Sequence, residues 1–218
     1  MTSASPIDVR DMAIVHQAFR RAYQEAAALV RGAAASAAER VRFLASHIDL
    51  TIALLHLHHE GEDELLYPKL IERAPERTAS TEQIKHEHED IQAQMAALSD
   101  ACKAWQADPS DATGEELAAA LDRLNDTLQI HLDNEEKEIV PLAAVTLTQK
   151  EWDEMGAHAV AKMAPKQRAI AFGMLLEPLD EADRAHMKKH LPPPIRFLFP
   201  VLIQRPWTKY ANTLRRGA

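Results

Sequence analysis

Leu117, Leu121, Leu124, Leu128, His131, Glu135 and Leu142 follow one another at intervals of 4, 3, 4, 3, 4 and 7 residues. That rhythm is the buried seam of a helix packed in a bundle. Two seam positions break the run of leucines with a histidine and a glutamate, one turn apart on the same face. An ionised carboxylate in an apolar seam is costly unless a cation satisfies it. A metal ion does so, because neutral imidazole and carboxylate are both natural ligands.

The rest of the chain supplies partners for this helix. Glycine is scarce at 6 residues and aromatics make up 5%, which favours helix over sheet. Capping boxes at Ser5-Pro6-Ile7-Asp8, Ser36-Ala37-Ala38-Glu39, Ser80-Thr81-Glu82-Gln83 and Thr113-Gly114-Glu115-Glu116 mark helix starts. They predict helices over 6–31, 36–73, 80–107 and 113–145. Short connections make antiparallel neighbours. The expected fold is therefore all-α: an antiparallel up-down-up-down four-helix bundle over 1–146 with an additional C-terminal helical region, 147–218, packing on it.

Each predicted helix has a seam, and each seam is interrupted by histidine. The first reads Met12, His16, Phe19, Tyr23, Val30; the second Thr51, Leu54, His58, Glu62, Leu65; the third Ile84, His88, Ile91, Met95, Leu98, Cys102, Trp105. An internal repeat ties them together. His16 recurs as His88 after 72 positions, and His58, Glu62 and Pro68 recur as His131, Glu135 and Pro141 after 73. Two hairpins, each offering His plus His-x3-Glu, would face each other about a pseudo-twofold axis and suit two metal ions bridged by two carboxylates. The bland alternative, a buried His–Glu hydrogen-bonded pair, would have to occur twice at matching positions.

The pattern His16 … His58-x3-Glu62 … His88 … His131-x3-Glu135 resembles the hemerythrin-like, or HHE cation-binding, domain over roughly residues 8–145. The resemblance implies a four-helix bundle holding a non-haem di-iron centre with an oxo or hydroxo bridge. It implies His16, His58, His88 and His131 as terminal ligands and Glu62 and Glu135 as bridging carboxylates. The ligand types also suit zinc or manganese. Oxygen-carrying hemerythrins place two histidines four apart on the third helix; here Ile84 and Gln92 flank His88 at that spacing. With four His and two Glu, open coordination positions favour reaction over simple oxygen carriage. The expected function is reaction with a small oxidant such as hydrogen peroxide, dioxygen or nitric oxide. Reversible oxygen, nitric oxide or iron binding for sensing, or a purely structural zinc site, are the alternatives.

Other polar residues fall outside this pattern. His47, His56, His59 and His86 lie off the seam and read as surface groups or supports for the ligands. Glu60, Asp63, Glu64, Glu87, Glu89, Asp133 and Glu136 read as a solvated acidic face, Tyr23 and Tyr67 as core or rim, and Cys102 as inert core. In 147–218, Thr148-Gln149-Lys150-Glu151 is a further capping box, and helices are expected near 148–162, 166–177 and 180–190. Ile195–Ile203 is apolar and should pack on the bundle. His158, His186 and His190 have no carboxylate at ligand spacing, and the His186/His190 pair is a weak zinc candidate.

Charge is uneven. Residues 184–218 hold eight bases and no acid, leaving 17 bases against 33 acids elsewhere. An acidic body argues against nucleic acid as a partner, and the basic tail should pair with that body. No apolar stretch approaches the ~20 residues of a membrane span. A lone cysteine and no signal-like N-terminus point to the cytoplasm.

Overall fold

The computed structural model describes residues 6–33, 37–189 and 191–216. Among these the structure is helical, with no strand. The four long helices are α1 (Arg10–Arg31), α2 (Ala38–Gly61), α4 (Thr78–Ala107) and α5 (Asp111–Asn134), and short helices α3 (Tyr67–Arg73) and α6 (Val140–Thr146) extend α2 and α5. In the ring they form, α1 packs on α2 and α5, and α4 packs on α5 and α2.

The helix starts differ from the sequence expectation. α1 begins at Arg10 rather than near residue 6, with Asp8 accepting from the Arg10 amide; Ser5 and Ser36 lie outside the described residues. α4 already runs from Thr78, so the Ser80 and Thr81 hydroxyls donate to the Arg77 carbonyl instead of capping. The cap of α5 is Ser110, with Thr113 as its reciprocal N3 partner rather than the cap itself. Thr148 and Glu151 do form the expected box, at the start of α7 (Gln149–Lys162).

Both hairpins contain the same distortion. A π-helical turn, Glu62–Leu66, joins α2 to α3, and another, Glu135–Ile139, joins α5 to α6. In each, a backbone N–H five residues on reaches the carbonyl of the glutamate: Tyr67 to Glu62, and Val140 to Glu135. Pro68 and Pro141 follow directly. A proline cannot donate to the carbonyl four residues back and collides with it. Widening the turn relieves this, and such bulges gather at functional sites.

The core is split at the level of these turns. The larger apolar cluster takes Phe19, Tyr23, Leu55, Ile91 and Leu128; the smaller takes Met12, Leu66, Tyr67, Leu70, Ile84, Ile139 and Trp152. On each long helix the seam histidine falls between residues of one cluster and residues of the other. The polar layer thus lies sandwiched between two dry ones.

The remaining chain folds as α7, α8 (Pro165–Leu176), α9 (Glu181–Lys189), α10 (Pro193–Phe197), a π-helical turn (Pro200–Gln204) and α11 (Arg205–Leu214). It packs on the bundle at several points. α7 lies on α2, and Trp152 donates to Asp11 of α1 at 2.8 Å. Ile195, Phe199 and Ile203 join Ile14 of α1 in a third cluster, whereas Phe197, Leu198, Val201 and Leu202 face outward. Gly173 allows α8 to approach Trp207 of α11, since a Cβ there would fall 2.3 Å from the indole. The basic tail meets the body as expected through Arg215, which pairs with Glu25 and Glu177.

Candidate metal centre

The six seam residues meet in one layer, five of them buried and His58 partly so. Ligand atoms of His16, His58, Glu62 and Glu135 lie within 4.8 Å of one another, and those of His88 and His131 form a second group on the same scale. His16, Glu62, His131 and Glu135 are at most 1% exposed, and His88 5%. Each carboxylate stands between the two groups. Glu62 presents Oε1 to His58 Nε2 at 3.2 Å and Oε2 to His88 Nε2 at 3.7 Å. Glu135 presents Oε2 to both His16 Nε2 and His131 Nε2, at 3.5 Å each. Both glutamates sit at the first position of a π-helical turn, which aims a carboxylate inward where a leucine would otherwise fill the seam.

Three of the histidines are held from behind by carboxylates. His16 Nδ1 bonds Glu136 at 3.0 Å, His88 Nδ1 bonds Asp63 at 3.2 Å and His131 Nδ1 bonds Glu87 at 2.9 Å. A carboxylate can only accept, so the ring proton lies on Nδ1 and the Nε2 lone pair points into the layer. The sequence reading placed Asp63, Glu87 and Glu136 on a solvated face. They are in fact the groups that orient the rings. The repeat carried a signal for two of them: Asp63 and Glu136 each follow a seam glutamate, 73 positions apart.

Tyr67, expected as core or rim, also acts here, donating from its buried hydroxyl to Glu135 Oε1. Tyr23 is core, as expected. His59 corrects the reading further. It was placed off the ligand positions, yet it is 4% exposed and stacks on His88 with ring centroids 4.1 Å apart and planes at 11°. It belongs to the same group of potential ligands as His88 and His131. A second seam through α2, Leu44, Ile48, Thr51, Leu55, His59 and Glu62, would have revealed it. His47 is likewise buried, against Tyr210 of α11 at 3.0 Å, and burial lowers its pKa to about 4. His86 is exposed.

The buried polar atoms of this layer suit a cation. His88 and His131 bring their Nε2 atoms to 3.2 Å, and with both ring protons on Nδ1 no proton lies between them. Burial pushes the Glu62 carboxyl well above its usual range, with Glu135 and Asp63 adding to the effect. Burial also holds His58 and His59 well below the usual range, reinforced by neighbouring histidines, so both rings are neutral. The inward atoms His16 Nε2, His58 Nε2, both Glu62 oxygens and Glu135 Oε2 are buried without hydrogen-bond partners. Orphans of this kind are rare in folded proteins and costly. Metal coordination satisfies them together, and the donor types fit iron.

Elsewhere, His158 on α7 meets Glu60 and Glu64 at 3.6 and 3.7 Å, carboxylates the sequence reading did not assign to it. Lys162 already neutralises Glu60 at 2.7 Å. His186 pairs with Arg10 at 3.0 Å, and His190 lies outside the described residues. Cys102 is buried core, its thiol pushed up to about 12 by burial. No helix among the described residues is long and apolar enough to cross a membrane.

No curated protein and no solved structure matches the chain. The family model for the hemerythrin HHE cation-binding domain matches residues 8–143, the stretch that carries all six seam residues and both π-helical turns. The chain belongs to the hemerythrin HHE cation-binding family.

Proposed function

We propose that the buried layer holds two iron ions and that the loaded centre reacts with a small oxidant such as hydrogen peroxide, dioxygen or nitric oxide. His16 and His58 serve one ion, His88 and His131 the other, and Glu62 and Glu135 bridge them. The observation that carries this reading is the placement of each carboxylate between one histidine of each pair. A structural site for a single metal has no use for two such bridges.

Bound iron would supply Lewis acidity and redox equivalents. The chain's own residues do the rest. Asp63, Glu87 and Glu136 fix three imidazoles, and Tyr67 holds one oxygen of Glu135 so that the other stays aimed inward. The apolar clusters above and below exclude bulk water and restrict entry to small molecules. The lone buried cysteine agrees with a reducing compartment, and we assign the protein to the cytoplasm.

Peroxide consumption by the iron-loaded protein tests the reading, with Glu62→Ala as control. Turnover that falls to background in the variant supports it. Turnover equal in both would refute it. A sensing role has one observation in its favour: His158 and Lys162 of α7 contact Glu60, in the same turn as the site. Under that reading, hydrogen exchange over 147–218 changes between reduced and oxidised protein. An unchanged pattern counts against it.

A further inference from the structure

Six large apolar side chains among the described residues are exposed, and four of them fall in one short stretch. Phe197 is 86% exposed, Val201 51%, Leu198 43% and Leu202 40%, whereas Ile130 and Val145 stand singly on α5 and α6. Scattered singles are ordinary, but a close-set group marks a contact surface. Packing of the segment on the bundle is already met by Ile195, Phe199 and Ile203. The outward set is what that packing leaves over.

The charge beside it is of one sign. Four of the eight bases in 184–218 are engaged within the fold. Arg184 and Arg196 donate to backbone carbonyls, Lys188 lies 4.2 Å from the centre of the Phe199 ring, and Arg215 pairs with Glu25 and Glu177. The other four, Lys189, Arg205, Lys209 and Arg216, are exposed, and no acid among the described residues pairs with them. Arg205, Lys209 and Arg216 line an open groove of about 630 Å³ along α11, with Thr208 and Asn212 between them. The groove begins at Pro200, next to Val201 and Leu202. An apolar end and a cationic end thus make one continuous face.

We propose that this face docks the protein on an anionic lipid bilayer. Phe197, Leu198, Val201 and Leu202 enter the headgroup region, while Arg205, Lys209 and Arg216 meet lipid phosphates. Charge selects this occupant. The rest of the chain carries 17 bases against 33 acids, so an anionic surface attracts the tail, repels the body and fixes the orientation. A second copy meeting the face about a twofold axis would set base against base. A nucleic acid or an acidic peptide would satisfy the bases and leave four apolar side chains in water. No helix among the described residues can cross a membrane, so the contact is peripheral. The face lies on the C-terminal region, and the proposal stands or falls apart from the metal reading.

Sedimentation of the full-length protein with vesicles tests it. Vesicles of phosphatidylcholine alone are compared with vesicles of equal parts phosphatidylcholine and phosphatidylglycerol. Binding to the mixed vesicles should be at least about tenfold tighter and should weaken as salt is raised. Arg205→Glu with Lys209→Glu should abolish it, and Phe197→Ser with Val201→Ser should weaken it about tenfold or more. All four positions are exposed, so the melting temperatures should match wild type. Lys209→Gln and Leu202→Ser serve if either double variant melts early. Equal binding to both kinds of vesicle, or to neither, would overturn the proposal. So would variants that bind as wild type does, or release of the protein from vesicles by inorganic phosphate. A wild-type dimer broken by the serine substitutions would give the face to a second copy instead, and binding to polyglutamate as tight as to vesicles would give it to an acidic chain.

Discussion

The two hairpins of the bundle are near copies that part company at a few positions. Residues 10–73 and 78–146 share a histidine on the first helix, a His-x3-Glu on the second, an acid directly after that glutamate, a π-helical turn and a proline. They even cross-support each other. Asp63 of the first holds His88 of the second, and Glu136 of the second holds His16 of the first. The copies differ where His59 stands against Leu132, Tyr67 against Val140, and Glu87 against Val15. The shared positions are those the proposed pair of ions would use. The unshared ones all bear on His88, His131 or Glu135, and so make one side of the layer unlike the other.

The largest effect should come from breaking what both halves share. Glu62→Ala and Glu135→Ala should each abolish uptake of both metals, because under the proposed two-iron centre either loss removes a bridge. Elemental analysis of the purified variants checks this. Retention of one full equivalent in either variant would show that the halves load independently.

Acid should test the hairpins unequally. His47 of α2 is buried against α11, and its counterpart in the repeat is Ala120. Burial lowers its pKa from 6.5 to about 4. Between these values the unfolded chain binds a proton that the folded chain refuses. Stability therefore falls as pH drops from 6.5 to 4 and levels off below. The loss from this ring is about 3 kcal/mol. Urea unfolding of the metal-free protein across pH 4–7 should show this slope reduced in His47→Leu. Parallel curves for the two proteins would mean the ring is not held neutral.

Asp63→Ala and Glu136→Ala should weaken metal uptake by similar factors, about 10- to 100-fold each, as expected when a group orienting a ligand histidine is lost. Competition with a chelator measures both. Strongly unequal factors would mean the repeat is one of sequence more than of chemistry. Tyr67→Phe should have the smallest effect, about three- to tenfold weaker uptake, matching one hydrogen bond of roughly 1 kcal/mol. Val140 occupies the equivalent place and offers no hydroxyl, so Glu62 has no matching support to lose.

Leucine made the site legible. His16, His58, His88 and His131 stood out because each broke an apolar seam, and the repeat turned four separate anomalies into one layer. The same logic missed His59, because α2 buries two adjoining stripes, one toward α1 and one toward α4 and α7. A single seam drawn through Leu54 and His58 leaves the stripe through Leu55 and His59 unread. Asp63, Glu87 and Glu136 were missed for a different reason. Acids beside a ligand look like any solvated face until a neighbouring helix brings a ring nitrogen to them. The π-helical turns had only an indirect trace, a proline inside each helix at Pro68 and Pro141. The helix starts went astray where hydroxyls had two uses. Ser80 and Thr81 bond back to the Arg77 carbonyl just before α4, and Thr113 answers a cap that Ser110 provides.

Iron content per chain, read with the visible spectrum before and after peroxide, tests the central claim most directly. Two irons per chain, with a charge-transfer band that peroxide changes or bleaches, is the result predicted for a centre bridged by Glu62 and Glu135. One equivalent of zinc, or a single metal with no redox-sensitive band, would contradict it.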